Sequence, residues 1–483
     1  MALEKQDWLR AAQCARMAWF DQRQSAPPGE ADLFRMRQGQ EVGERARELY
    51  ARGVLVSTED ETRERMADGH TGTLFEAKFA AGAWAARADM VRRRSVGWEA
   101  VEVKSSFADT GKLEQYVDDL AYTVMVMQLA GVVVSAATLL LLSRDYRHGE
   151  PVQELFARRD VTEAVLARAS EFAREAEGRA ALLLGEERPE AVLAAACREC
   201  PQFAGECLGK GVAPTVLELP QLKTSAMLQW GVVAMAEIPP RAKLNGLQER
   251  AKMAALSGNV VFTRELGYAL SRMEWPCYYL DFETVATTLP LYAGYGCHQQ
   301  VLTQYSLHWR DLLDGEVGHG EYLAEAGREC ERELAERLVA ALGEAGSIVV
   351  YSPYEKSQIL RLAERFADLT EPLGRIARRL VDLLPIVMHH VYHPDFGGSF
   401  SIKKVLPALV PELSYAGLAV GDGSMAITRF AQMARGEIAG EASVRETRAA
   451  LLEYCKLDTL AMVRLHAVLA ERAATRVVGE GGW

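Results

Sequence analysis

The chain has 483 residues, 49% hydrophobic and 25% charged, the balance of a globular protein with room for two or three cored domains. A formal net charge of −11 excludes a global positive field for nucleic acid, although acidic metal sites lower net charge while local basic patches still grip phosphates. The opening MALEKQDWLRAAQC lacks the apolar core of a secretory leader, so a cytoplasmic location is expected, with most of the eight cysteines reduced. Trp8 to Phe20 reads as a helix bearing Cys14. Helices follow over Asp32 to Ala51 and Ser57 to Asp68, the last with a serine at its N-cap position.

Thr71 to Ser106 then alternates like a β-meander. Asp89 ends one strand, a turn spans Arg94 to Gly97, and the next strand carries Glu102 and Lys104 two apart on one face, where Asp89 can lie beside them. Such a hairpin can simply hold a cross-strand salt bridge. An acid, a turn, then Glu-x-Lys also resembles the PD-(D/E)XK nucleases, in which the two acids bind a metal and the lysine orients water and stabilises developing charge. That resemblance makes Asp89 and Glu102 metal ligands and Lys104 catalytic, with Glu76 as an additional candidate acid. Downstream, KLEQYVDDLAYTVMVMQLAG reads as a helix beginning after Gly111. RecB-type nucleases usually carry a glutamine and then a tyrosine on this helix; Thr123 and Met125 stand there instead, so a weakened or inactive site is an open alternative. The most apolar run, Val124 to Leu142, is interrupted by Gln128, Gly131, Ser135 and Thr138, and reads as a buried helix and strand rather than a membrane span. Helices over Val161 to Leu184 complete this core.

CRECPQFAGEC spaces Cys197, Cys200 and Cys207 around a compact loop suited to wrapping three thiolates about one centre, which still needs a fourth ligand. Iron–sulfur nucleases of the RecB type recruit one upstream cysteine. The resemblance therefore implies a [4Fe–4S] cluster on Cys14, Cys197, Cys200 and Cys207, with Zn2+ as the alternative. Val212 to Met273 is broken by Pro214, Pro220, Pro239, Pro240 and Gly258, and reads as a helical connector or a helix-hairpin-helix unit.

YYLDFET, Tyr278 to Thr284, reads as a buried strand with Asp281 and Glu283 on one face. Adjacent buried acids repel each other unless a cation compensates, and hard divalent ions take oxygen ligands. The following loop and strand offer Tyr295, His298, Gln299 and Gln304 as substrate contacts. A second apolar strand, Ile348 to Tyr351, leads to Glu355 at a helix start. Asp382 is a competing acid or a helix cap, and Lys403 and Lys404 sit at a helix N-terminus suited to phosphate. LLEYCKLDTLAMVRLHAVL has helical spacing that stacks Tyr454 and Asp458 on one face.

In this order the acids resemble the tyrosine-bearing DEDD 3′–5′ exonucleases of the ribonuclease H-like fold. The resemblance implies that Asp281, Glu283, Glu355 and Asp458 hold two Mg2+ or Mn2+ ions and that Tyr454 positions the attacking water. Glu355 departs from the usual aspartate. Together with DLA at Asp119 to Ala121, QYSLH at Gln304 to His308 and SFSIKKVLP at Ser399 to Pro407, these stretches resemble a bacterial family of uncharacterised proteins joining the two nuclease types. The expected fold is α/β: a restriction-endonuclease-like domain over 1–211, a connector over 212–273 and a ribonuclease H-like domain over 274–475. The expected activity is metal-dependent hydrolysis of nucleic acid, DNA ahead of RNA, with no membrane partner. The alternative is a binding or regulatory protein that keeps nuclease folds without catalysis.

Overall fold

The structure, a computed structural model, describes residues 2–24 and 27–479, with side chains followed to residue 475. The chain is a mixed α/β protein that clusters into two compact units, Met1–Lys210 with Thr287–Gln299, and Gly211–Ala286 with Gln300–Trp483.

Unit 1 opens with helices α1 (Lys5–Gln13), α2 (Ala15–Asp21) and α3 (Glu30–Arg47). The single helix expected over Trp8 to Phe20 is in fact two, because Cys14 is extended (φ −163°, ψ 111°) and serves as C-cap of α1 and N-cap of α2. Strand β1 (Val54–Leu55) and helix α4 (Glu59–Ala67) follow. Thr58, not Ser57, caps α4: its side chain accepts from Glu61 N. The expected meander forms as β2 (Thr73–Ala81), β3 (Trp84–Arg93) and β4 (Trp98–Phe107), paired antiparallel. Helix α5 (Leu113–Leu129) then carries the chain to β5 (Val134–Leu142), which lies parallel to β4. Helix α6 (Val152–Leu155), strand β6 (Phe156–Asp160), the single long helix α7 (Thr162–Leu184) and the short α8 (Phe203–Glu206) complete the unit. Its six-stranded sheet runs β1-β2-β3-β4-β5-β6.

The apolar residues of α1, α5 and α7 cover one face of this sheet. Trp8 is fully buried, with its ring 5.1 Å from Trp84 and 4.8 Å from Phe172. Ahead of α1, Leu3 joins the start of β3 by donating to Ala83 O and accepting from Ala85 N, both at 2.8 Å. Helix α1 is thereby anchored at its start and through its buried Trp8.

Unit 2 begins with α9 (Thr224–Trp230), α10 (Gly246–Ser257), β7 (Val261–Phe262) and α11 (Leu266–Leu270). Three antiparallel strands come next: β8 (Cys277–Val285), β9 (Val301–Arg310) and β10 (Gly318–Leu323). Helix α12 (Glu331–Ala341), β11 (Ser347–Val350), α13 (Tyr354–Arg365), α14 (Thr370–Arg378), β12 (Leu380–Asp382) and α15 (Leu383–His390) follow. Strand β13 (Val391–Tyr392) pairs with β7. Helices α16 (Ile402–Leu409), α17 (Gly423–Ala434) and α18 (Glu441–Gly479) end the chain.

The main sheet order is β10-β9-β8-β11-β12, with β11 parallel to both β8 and β12. Helix α18 packs on β8 and β9, and polar clamps fix its register. Buried Thr459 shares its hydroxyl with Ser306 and His308, each at 2.7 Å, and His466 meets the Tyr279 hydroxyl at 2.9 Å. Unmade hydrogen bonds on such buried groups are costly, so sliding α18 along its axis would break several at once. No described helix is long and apolar enough to cross a membrane.

Candidate functional site

The carboxyl ends of β8 and β11 lie side by side in unit 2. From β8 the chain turns to β9, while β11 sits on the other flank; such topological switches are where open α/β sheets bind ligands. The period of two on β8 places Asp281 and Glu283 on its half-buried face. Asp458 arrives from α18, next to the Thr459 clamp. The ligand oxygens of Asp281, Glu283 and Asp458 all lie within 4.8 Å of one another.

Crowding raises the proton affinity of the whole set. Burial first, then the charges of Asp458, Glu355 and Glu283, push Asp281 well above the ordinary aspartate range. Burial and then Asp458 carry Glu283 up to about 8. Burial takes Asp458 to about 6, held back by the Tyr415 hydrogen bond and by Lys403. Three acids that resist ionising together in one place form a donor set that a divalent cation would satisfy.

Glu355 stands in the first turn of α13, buried, and accepts from Ser352 Oγ at 2.9 Å. Burial raises its carboxyl to about 7. Its charge acts on Asp281 and Glu283, but it falls outside the trio gathered within 4.8 Å. Asp382 caps α15, accepting from Leu384 N at 2.9 Å. Tyr454 is buried and hydrogen-bonds Asp458. Tyr415 donates to Asp458 Oδ1 at 2.6 Å. Lys403 Nζ lies 4.9 Å from the Tyr454 ring centroid and 5.5 Å from that of Tyr415. Lys404 is exposed. Gln304, offered above as a substrate contact, is buried and donates to Leu451 O at 2.9 Å.

Tyr415 was not singled out in the sequence, and nothing in PELSYAGLAV marks it. The Cys455 thiol lies 3.7 Å from Asp281 Oδ2.

In unit 1 the meander brings Asp89, Glu102 and Lys104 to one cavity of about 1020 Å³, which Glu76 and Lys5 also line. Asp89 Oδ2 accepts from Val103 N at 2.7 Å. Glu102 Oε1 takes Lys104 at 2.8 Å and Lys5 at 2.7 Å. Lys104 also contacts Asp119. Burial works against the Glu102 charge, yet Lys5 and Lys104 hold its carboxyl down to about 2, whereas burial and then Glu102 push Asp89 up to about 7. Glu76 has φ 56°, a costly backbone for a non-glycine residue, and interrupts the β2–β3 ladder between the Phe75–Met90 and Ala77–Ala88 pairs. It pairs with Arg47 at 2.6 Å and Arg87 at 2.9 Å. Thr123 is fully buried, its hydroxyl directed 3.5 Å from Asp119 O. No sequence signal linked Lys5 to this site.

Cys14, Cys197, Cys200 and Cys207 line one small cleft in unit 1, each a free thiol. Arg16 ties α2 to the loop through Pro189 O at 3.0 Å and Glu206 O at 3.2 Å. Among the described residues, no three of the four sulfurs gather within the 4.8 Å that the acid trio meets.

Residues 278–401 match a family described as a domain of unknown function (DUF2779); they include Asp281, Glu283 and Glu355 but not Asp458. No curated protein matches. A solved chain titled "Crystal structure of SSO0001" is 16% identical over 41% of this chain and 97% of its own, with a TM-score of 0.18.

Proposed function

We propose that this protein is a metal-dependent nuclease that releases nucleotides from 3′ ends at the Asp281–Glu283–Asp458 cluster of unit 2. The observation that carries this reading is the convergence of those three carboxylates from a strand and a distant helix to within 4.8 Å. Supporting the ribonuclease H-like reading of the unit are the sheet order and the placement of the acids at its topological switch.

Asp281, Glu283 and Asp458 would hold Mg2+ or Mn2+, with Glu355 as an outlying ligand. A divalent ion bound there would supply an acidified water and would neutralise charge on the leaving oxygen. Lys403, above the two tyrosine rings, draws the anionic phosphodiester to the acids. Tyr415 orients Asp458 by its Oδ1, and Tyr454, bonded to the same carboxylate, aligns the water that attacks phosphorus. DNA is the substrate proposed first, RNA second.

Asp89, Glu102 and Lys104 form the second proposed nuclease site, in the PD-(D/E)XK manner. A divalent ion fits there because Glu102 Oε2 is buried without a hydrogen-bond partner beside a second carboxylate. For the cysteines we propose a [4Fe–4S] cluster ahead of zinc. Four sulfurs about one zinc ion at 2.3 Å would lie roughly 3.8 Å apart, and among the described residues no three of these sulfurs lie within 4.8 Å of one another.

The test is Asp281→Ala with Glu283→Ala in the full chain. Mg2+- or Mn2+-dependent release of 3′-terminal nucleotides from end-labelled DNA and RNA should vanish, and unchanged release removes the assignment. A second reading, a binding protein without catalysis, is favoured by Thr123, whose hydroxyl is directed at a backbone carbonyl, and by the outlying Glu355. Tight nucleic-acid binding with no turnover in Mn2+ would support it.

A further inference from the structure

Glu102 in unit 1 is held by two lysines on the same oxygen. Lys104 comes from the same strand, two residues on, and is shared with Asp119. Lys5 comes from outside the sheet, at the first turn of α1, and reaches Oε1 at 2.7 Å. Its aim is set on both sides: Leu3 is hydrogen-bonded into the start of β3, and Trp8 is fully buried against Trp84 and Phe172. With Oε1 occupied twice, the buried Oε2 has no hydrogen-bond partner, and Glu102 lines the cavity together with Asp89. Leaving a carboxylate oxygen dry and unpaired is costly unless a ligand completes it.

We propose that Lys5 is a positioning residue of the unit-1 site, clamping Glu102 by Oε1 so that Oε2 and Asp89 together face the cavity as a seat for a divalent cation; this rests on reading Asp89, Glu102 and Lys104 as a hydrolytic site. Lys104 alone does not suffice, because Asp119 hydrogen-bonds its ammonium and pulls it toward α5, whereas Lys5 stands 4.0 Å from Asp119 and 2.7 Å from Glu102. The second clamp removes the rotamers in which Glu102 would turn Oε2 away. A group that orients a metal ligand in this way typically contributes 10–100-fold to affinity.

The sign of the effect separates positioning from mere proximity. A cation that only sits near a metal seat repels the metal, so removing it tightens binding. A clamp does the opposite. The experiment titrates Mn2+ into the full-length Asp281→Ala/Glu283→Ala protein by calorimetry, so that unit-2 binding is suppressed. Asp89→Asn, Lys5→Gln and Lys5→Arg are added one at a time, each checked by its thermal unfolding midpoint. The expected result is one Mn2+ site that Asp89→Asn abolishes, that Lys5→Gln weakens 10–100-fold, and that Lys5→Arg largely preserves. Unchanged or tighter binding in Lys5→Gln overturns the clamp while leaving the site in place. Absence of any Asp89-dependent Mn2+ binding in the parent overturns the site and the clamp with it. Should Lys5→Gln fail to fold, Lys5→Met is titrated in its place against the same parent, and unchanged or tighter binding there overturns the clamp.

Discussion

Replacing Asp458 by asparagine should act in opposite directions on the metal-free and metal-bound protein. Asparagine keeps an oxygen for the Tyr415 hydroxyl, 2.6 Å away, and removes the charge that weighs most, after burial, on both Asp281 and Glu283. Glu283 is moved from 4.5 to about 8, which at 1.36 kcal/mol per pH unit corresponds to roughly 5 kcal/mol for charging it in place. Burial is the larger cause, and the side chain is only half-buried, so the share of Asp458 is discounted to about 1 kcal/mol. A carboxyl whose pKa rises on folding stabilises the fold below its ordinary value and loses that contribution as pH climbs through the raised one. The metal-free protein should therefore lose stability between about pH 4.5 and 8, and Asp458→Asn should flatten the decline. At about 2–4 °C per kcal/mol, the unit-2 midpoint at pH 8 should rise by a few degrees. In the wild type, Mg2+ or Mn2+ at a hundred times its Kd should add about 2.7 kcal/mol, and in the variant this gain should disappear. Thermal unfolding at pH 5.5 and 8, with chelator or metal, reads both effects. A variant that loses as much stability at pH 8 as at pH 5.5, and keeps the metal shift, would refute a shared site.

Tyr415→Phe removes a donor to a carboxylate, an interaction of about 1.5–3 kcal/mol, so kcat should fall roughly 10–100-fold with little change in KM. The Asp458 pKa should rise as well, moving the acid limb of the pH–rate profile upward; an unmoved limb would count against this role. Lys403→Met should raise KM for nucleic acid and reduce the salt dependence of binding by about one counterion, whereas an unchanged slope would show that the ammonium does not meet phosphate. Protein purified without oxygen should be brown and lose that absorption on Cys197→Ser, while a colourless protein carrying zinc would overturn the cluster.

Patterns confined to one element could be read directly from the residues. The period of two places Asp281 and Glu283, or Glu102 and Lys104, on one strand face, and the four-residue spacing places Tyr454 over Asp458. The three-cysteine loop and the meander are likewise local features of composition and turn chemistry. Within an element two readings failed. One was the helix across Cys14, which lies in an apolar helical pattern although the backbone opens there and passes from α1 to α2. Another was the cap of α4, where Ser57 and Thr58 are chemically alike and only the backbone conformation selects Thr58.

Contacts between elements belong to the tertiary structure alone. Asp458 reaches Asp281 because Thr459 and His466 fix the register of α18 on β8 and β9. Tyr415 and Lys5 reach their acids from segments with no motif, and Glu355, in the first turn of α13, falls outside the trio gathered within 4.8 Å. Backbone periodicity sets which way a side chain points along its own strand or helix. Which partner it finds is decided by burial of apolar faces and satisfaction of buried polar groups over the whole chain, and neither leaves a mark at a fixed spacing.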